Sequence, residues 1–128
     1  MWDNTLLIVI GDNGAPSNNA GYNGQFKGFK FTHWEGGHRV PSFVSGGALT
    51  DELRGSWYNH TIHFVDLHRT ILDLAGLSTP EEPAAVKPHD GVSLGPWLNL
   101  SQGLDTPLRD ELWIANDVRS LSKVFKHF

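Results

Sequence analysis

The chain has 128 residues, 39% of them hydrophobic and 19% charged, a composition that fits one folded domain and does not favour disorder. A formal charge of -4, with His counted neutral, offers no basic face to a phosphate backbone and argues against nucleic acid as a partner. The absence of cysteine excludes disulfides, thiolate metal ligands and a cysteine nucleophile within these residues, and no apolar run approaches the ~20 residues of a membrane span.

In chain order, Met1 to Asn4 lacks the basic and apolar regions of a signal peptide. Thr5 to Ile10 is an unbroken apolar run rich in β-branched residues and bounded by Gly11-Asp12-Asn13-Gly14. It predicts a strand buried on both faces, of the kind parallel sheets contain. Residues 15–28 are dominated by Gly, Asn, Ser and Pro and predict a long surface loop with Tyr22 and Phe26 as its sizeable apolar groups. Phe29 to Pro41 follows, containing Glu35-Gly36-Gly37, and Ser42 to Ser45 predicts a short strand.

The clearest helix is expected over Ile62 to Ala75, because Phe64, Leu67, Ile71 and Leu74 recur at steps of three and four. Thr61 is placed to cap its start and Gly76 to end it. The span from Ser78 to Pro88 reads as a connector, His89 to Leu94 opens a short ordered stretch, and Arg109 to Ile114 predicts a strand. These strands are too few to complete a parallel sheet, so an incomplete α/β fold is expected.

Three groups of residues carry chemistry. Asp12 and Asn13 follow the first strand directly, where open α/β sheets place their ligand sites. Both a simple turn and a pair of oxygen ligands for a hard cation fit them. Lys30, between Phe29 and Phe31, is either a solvated surface lysine or a point charge emerging from apolar surroundings to grip an anion. Trp34 to Pro41 predicts a tight, glycine-dependent turn in which Glu35 and Arg39 are structural partners and His38 is a structural or exposed histidine. His63 and His68, five apart, do not share a helix face as a chelating pair. The sequons at Asn59 and Asn99 would accept glycans in a secretory setting.

Taken together, Thr5 to Gly14, Phe26 to Lys30, Trp34 to Pro41, Ile62 to Leu67, Thr70 to Leu72, Leu74 to Gly76 and Asp90 to Val92 resemble the second half of a sulfatase catalytic domain, most of all the arylsulfatase B-like group. The resemblance implies an alkaline phosphatase-like α/β fold, with residues 1–100 forming the C-terminal part of the catalytic domain and 101–128 the start of a smaller C-terminal subdomain. It implies Ca²⁺ held in part by Asp12 and Asn13, and a sulfate group contacted by Lys30. It further implies a sulfate ester substrate, an aryl sulfate or a sulfated sugar, and a secreted or lysosomal full-length parent. Asp66 also matches a family position, and its place at the helix start suggests a structural role.

The family's nucleophile is a formylglycine made from Cys or Ser in a Cys/Ser-x-Pro-x-Arg motif, and no cysteine is present. Ser78-Thr79-Pro80-Glu81-Glu82 has Glu82 where that motif needs Arg, so the chain alone is expected to be inactive. Two alternatives remain at this level. One is a phosphodiesterase or phosphonate hydrolase of the same superfamily, and the other a non-catalytic remnant that binds a cation or partner.

Overall fold

The structure, a computed structural model, describes residues 1–18, 21–77, 89–99 and 103–113 together with the backbone of 124–126. The chain forms two compact units, Met1–Arg54 and Gly55–Phe128.

In the first unit, strand β1 (Leu7–Ile10) pairs antiparallel with β2 (Ser42–Ser45), Leu7 opposite Ser45 and Ile10 opposite Ser42. The second strand lies where the sequence predicts it. The first is shorter than predicted, and its pairing corrects the expectation of a doubly buried strand of a parallel sheet. Side chains alternate between faces, so Leu7, Val9 and Phe43 share one side of the ribbon and remain exposed, while Ile8, Ile10 and Val44 on the other are half-buried. An apolar run records that a strand forms but not the direction of its neighbour, and a two-stranded ribbon has no second layer with which to cover both faces.

The ladder is extended at one end by the Gly11 amide, which donates to Pro41 O at 3.1 Å. At the other end the chain turns back through Gly46, with φ of 121°, and Ala48 N donates to Thr5 O at 3.1 Å. Among the described residues of this unit, Leu49 and Leu53 are the large apolar side chains that are buried. Arg54 closes the segment above them, donating to the carbonyls of Leu49 at 3.0 Å and Gly46 at 3.3 Å.

The second unit is organised by helix α2 (Phe64–Leu74). The cap is His63 rather than the expected Thr61. The His63 amide donates to the Asp66 carboxylate at 2.8 Å, and His63 Nδ1 accepts from Val65 N at 3.3 Å, so a reciprocal pair of bonds fixes the first turn two residues later. The end is as predicted: Gly76 takes φ of 67°, its amide donates to Asp73 O at 3.0 Å, and Leu77 N donates to Leu72 O at 2.9 Å, the paired bonds of a Schellman motif.

The helix buries an unexpected side. Phe64, Ile71 and Leu74 of the predicted apolar stripe are exposed, whereas Asp66 and Thr70 are 2% and 0% exposed. Thr70 Oγ1 donates to Asp66 O at 2.6 Å and accepts from Leu94 N at 2.9 Å, and the Asp66 carboxylate accepts from Val92 N at 2.8 Å. The Arg109 guanidinium completes the set by donating to Asp66. A polar ladder thus docks α2 onto residues 91–95, and helix α3 (Gly95–Leu98) continues from there with Leu94, Trp97 and Leu98 buried.

Strand β3 (Glu111–Trp113) lies where the sequence predicts one and pairs antiparallel with β4 (Val124–Lys126), which it does not foresee. The predicted connector at 78–88, including the rejected Ser78 motif, lies outside the described residues, as does the expected domain division at 100/101.

Tyr58 ties the loops of this unit together. Its hydroxyl donates to Thr106 O at 3.2 Å and accepts from Leu108 N at 3.1 Å, and its ring lies 4.9 Å from that of Trp97. Burial pushes the phenol above its ordinary value near 10, the Leu108 bond opposes this, and the charge on Asp66 adds to it. Because the folded-state value is raised, the associated stability is complete below pH ~10 and is lost as pH rises through the folded-state value. Urea unfolding from pH 9 upward is expected to show a steeper loss of stability for the native chain than for Tyr58→Phe.

Candidate functional site

The Asp12-Asn13 turn leaves the end of β1 and is fixed from the side by a glycine interlock. Gly14 N donates to Gly37 O at 3.0 Å, and Gly14 is buried so closely that a Cβ there would collide with the Gly36 carbonyl oxygen. Gly36 and Gly37 belong to helix α1 (Glu35–His38), a single turn. Gly36 N in turn donates to Lys27 O at 2.8 Å. The predicted glycine-dependent turn is therefore a close approach of three backbone segments, which only residues without a Cβ permit.

Lys30 is held by the same framework. Its amide donates to Ala15 O at 3.0 Å, two residues after Asn13. Asn23 fastens both sides, its Oδ1 accepting from Ala15 N at 2.6 Å and its Nδ2 donating to Ala15 O at 3.1 Å and Gly28 O at 3.2 Å. This clamp has no distinctive signature, because one Asn in a loop rich in Asn and Gly looks like any other turn residue.

The segments around Asp12-Asn13, Lys30 and Gly36-Gly37 thus meet in one loop cluster. Asp12 is exposed and Asn13 half-buried. Asn13 Nδ2 donates to Gly14 O at 3.1 Å, and among the described residues no hydrogen bond reaches its Oδ1 or the Asp12 carboxylate. The pair presents two hard oxygen donors, a chemistry that fits Ca²⁺ or Mg²⁺ but supplies only part of the 6–8 oxygens Ca²⁺ takes. Among the described residues no three His, Cys, Asp or Glu side chains gather into a metal-holding group.

Cations surround the cluster unequally. Arg39 pairs with Glu35 at 2.9 Å and lies 4.7 Å from the centre of the Phe26 ring, and the Lys27 ammonium sits 3.9 Å above the Trp34 ring. Glu35 and Arg39 are structural partners, as the sequence suggests, and His38 lies 3.9 Å from Glu35. Half-buried Lys30 has no carboxylate partner among the described residues, and its ammonium lies 5.4 Å from the Phe31 ring centre. Oxygen donors and a lysine without a carboxylate partner thus lie on loops joined by backbone hydrogen bonds, and their chemistry suits a cation and an anion respectively.

The sulfatase family model matches residues 1–77, which contain the whole of this loop cluster. The chain belongs to the sulfatase family. This sulfatase chain is 31% identical to arylsulfatase J of Mus musculus over 123 residues, covering 96% of this chain and 19% of that protein. It is 33% identical to the uncharacterized sulfatase YdeN of Escherichia coli (strain K12) over 118 residues, covering 91% of this chain and 20% of the relative. It is 35% identical to N-acetylgalactosamine-6-sulfatase of Homo sapiens over 116 residues, covering 83% and 20% respectively. The sulfatase chain spans about a fifth of the length of these relatives. No solved structure gives a significant match.

The other sequence-marked residues belong to the second unit. Asn59 is exposed, as is Asn99, whose sequon partner Ser101 lies outside the described residues. His63 caps α2, and the His68 ring lies 4.7 Å from that of His89, a neighbour the sequence does not single out. No helix among the described residues is long and apolar enough to cross a membrane.

Proposed function

We propose that this chain supplies part of the cation- and sulfate-binding site of a sulfuric ester hydrolase of alkaline phosphatase-like fold. One observation carries the reading: the Lys30 backbone is bonded to Ala15, just beyond Asp12-Asn13, so an ammonium without a carboxylate partner shares a framework with two oxygen donors. The Asp12 carboxylate and Asn13 Oδ1 would contribute to holding Ca²⁺, with further ligands from beyond these residues. Bound Ca²⁺ would polarise the sulfuryl oxygens as a Lewis acid. Lys30 would bind and orient the sulfate, its charge offsetting the negative charge that builds on those oxygens.

A formylglycine nucleophile has no precursor cysteine here, so the chain alone is inactive in this reading and chemistry belongs to the intact parent. In that parent, residues 1–100 would close the catalytic domain and 101–128 would open the smaller subdomain. Exposed Asn59 fits a glycan on a secreted or lysosomal protein.

The test is binding to the purified chain. With Ca²⁺ present, methyl sulfate is expected to shift the amide resonances of residues 12–15 and 27–32, and Lys30→Ala is expected to weaken its affinity about tenfold or more, the value of a hydrogen bond to a charged group. Asp12→Ala should weaken Ca²⁺ binding in the same titration. Equal methyl sulfate affinity in the native chain and Lys30→Ala would sink the proposal in favour of a remnant with another partner.

A further inference from the structure

We propose that Phe31 is a ring-stacking platform that selects sulfate esters carried on a ring; the inference rests on the sulfate-site reading of Lys30. Phe31 is 90% exposed and has φ of 77°, the one positive value at a non-glycine among the described residues. The Thr32 amide donates to Phe29 O at 3.0 Å and closes a four-residue turn with Lys30 and Phe31 at its centre. With only the second central residue at positive φ, this is a type II turn, and that position ordinarily takes Gly or Asn.

Phe31 breaks two local rules at once. An aromatic residue is disfavoured in the left-handed region, and its ring is disfavoured in water. The surroundings nevertheless over-determine the conformation. Thr32 Oγ1 donates to Phe29 O at 2.7 Å and accepts from Phe29 N at 3.1 Å, while the Lys30 amide is tied to Ala15. Strain maintained in this way, on the residue next to an anion-binding group, is where a ligand-facing role is expected.

The geometry specifies that role. Lys30 Nζ lies 5.4 Å from the Phe31 ring centre. A sulfate held by that ammonium carries its ester substituent into the neighbourhood of the ring. Stacked or edge-on rings have centroids about 4.5–7 Å apart, so an aryl group or the C–H face of a sugar can cover Phe31, whereas a small alkyl group cannot. Ligand binding would then shield a side chain that the turn otherwise leaves in water.

The chain, with Ca²⁺ present, should be titrated with methyl sulfate, phenyl sulfate and glucose 6-sulfate, following the amide resonances of residues 29–32. At least one ring-bearing ester is expected to bind about fivefold more tightly than methyl sulfate, and the ester that does so identifies the leaving-group class. The preference, taken as the ratio of ring-bearing ester to methyl sulfate affinity in each variant, should fall to within about twofold in Phe31→Ala and Phe31→Gly and should persist in Phe31→Trp. Glycine accepts the positive φ, so Phe31→Gly separates loss of the ring from loss of the turn. An undiminished preference in both truncations, or none in the native chain, overturns the role of Phe31 alone. If methyl sulfate fails to bind, or binds Lys30→Ala equally well, the sulfate-site reading falls and takes this inference with it.

Discussion

Asp66→Ala is expected to destabilise the second unit by about 3–5 kcal/mol, the cost of breaking a buried ion pair from one side. The Asp66 side chain is 3% exposed and that of its partner Arg109 11%, so the variant leaves a guanidinium charge with little access to water. It also removes the acceptor of the Val92 amide and that of the His63 amide, undoing the dock between α2 and residues 91–95 and the helix cap together. Small domains have net stabilities of about 5–15 kcal/mol, so a loss of this size threatens the fold itself. Urea denaturation followed by circular dichroism measures it. A midpoint shift corresponding to less than about 1 kcal/mol would show that the Asp66–Arg109 pair is as weak as an exposed one.

Gly14→Ala is expected to be the most damaging change in the first unit. Its Cβ would meet the carbonyl oxygen of Gly36, a backbone atom that cannot swing aside as a flexible side chain can. The Gly14–Gly37 hydrogen bond and the fixed position of the Asp12-Asn13 turn would be lost with the displaced loop. Overpacking costs about 1–3 kcal/mol, and the functional loss is predicted to exceed the stability loss, because turn and lysine would no longer share one framework. Thermal unfolding and the methyl sulfate titration should be run on Gly14→Ala and on Gly103→Ala, where the added Cβ meets only the Thr106 hydroxyl, at 4.0 Å. Equal sulfate responses in the two variants would show that the interlock does not organise the site.

The two expectations concern residues that were legible in the sequence to different degrees. Asp66 stands out as a carboxylate at a helix start that matches a family position, but its partners at Val92 and Arg109 lie 26 and 43 residues away. No local pattern reports bonds over that distance. The glycines of Glu35-Gly36-Gly37 signal a tight turn, but their second role as the surface against which Gly14 packs depends on two segments meeting. Asn23 was invisible because the bonds that distinguish it reach Ala15, and the strained Phe31 because an aromatic residue gives no signal for a positive φ.

The sequence by itself determined strand β2, a shorter core of the predicted strand β1, most of helix α2 and its stop at Gly76, because β-branched runs, a three-to-four apolar spacing and a glycine at positive φ act through neighbours along the chain. It also carried Asp12, Asn13, Lys30 and Glu35-Gly36-Gly37, the residues on which the family resemblance rests. Only the tertiary structure decided the antiparallel pairing of β1, the burial of the polar rather than the apolar side of α2, and the joining of the 12–15, 27–30 and 36–37 segments. Those features are made by backbone carbonyls and amides that every residue possesses. Their pairing is set by which segments approach closely enough to bond, and that is a property of the folded chain.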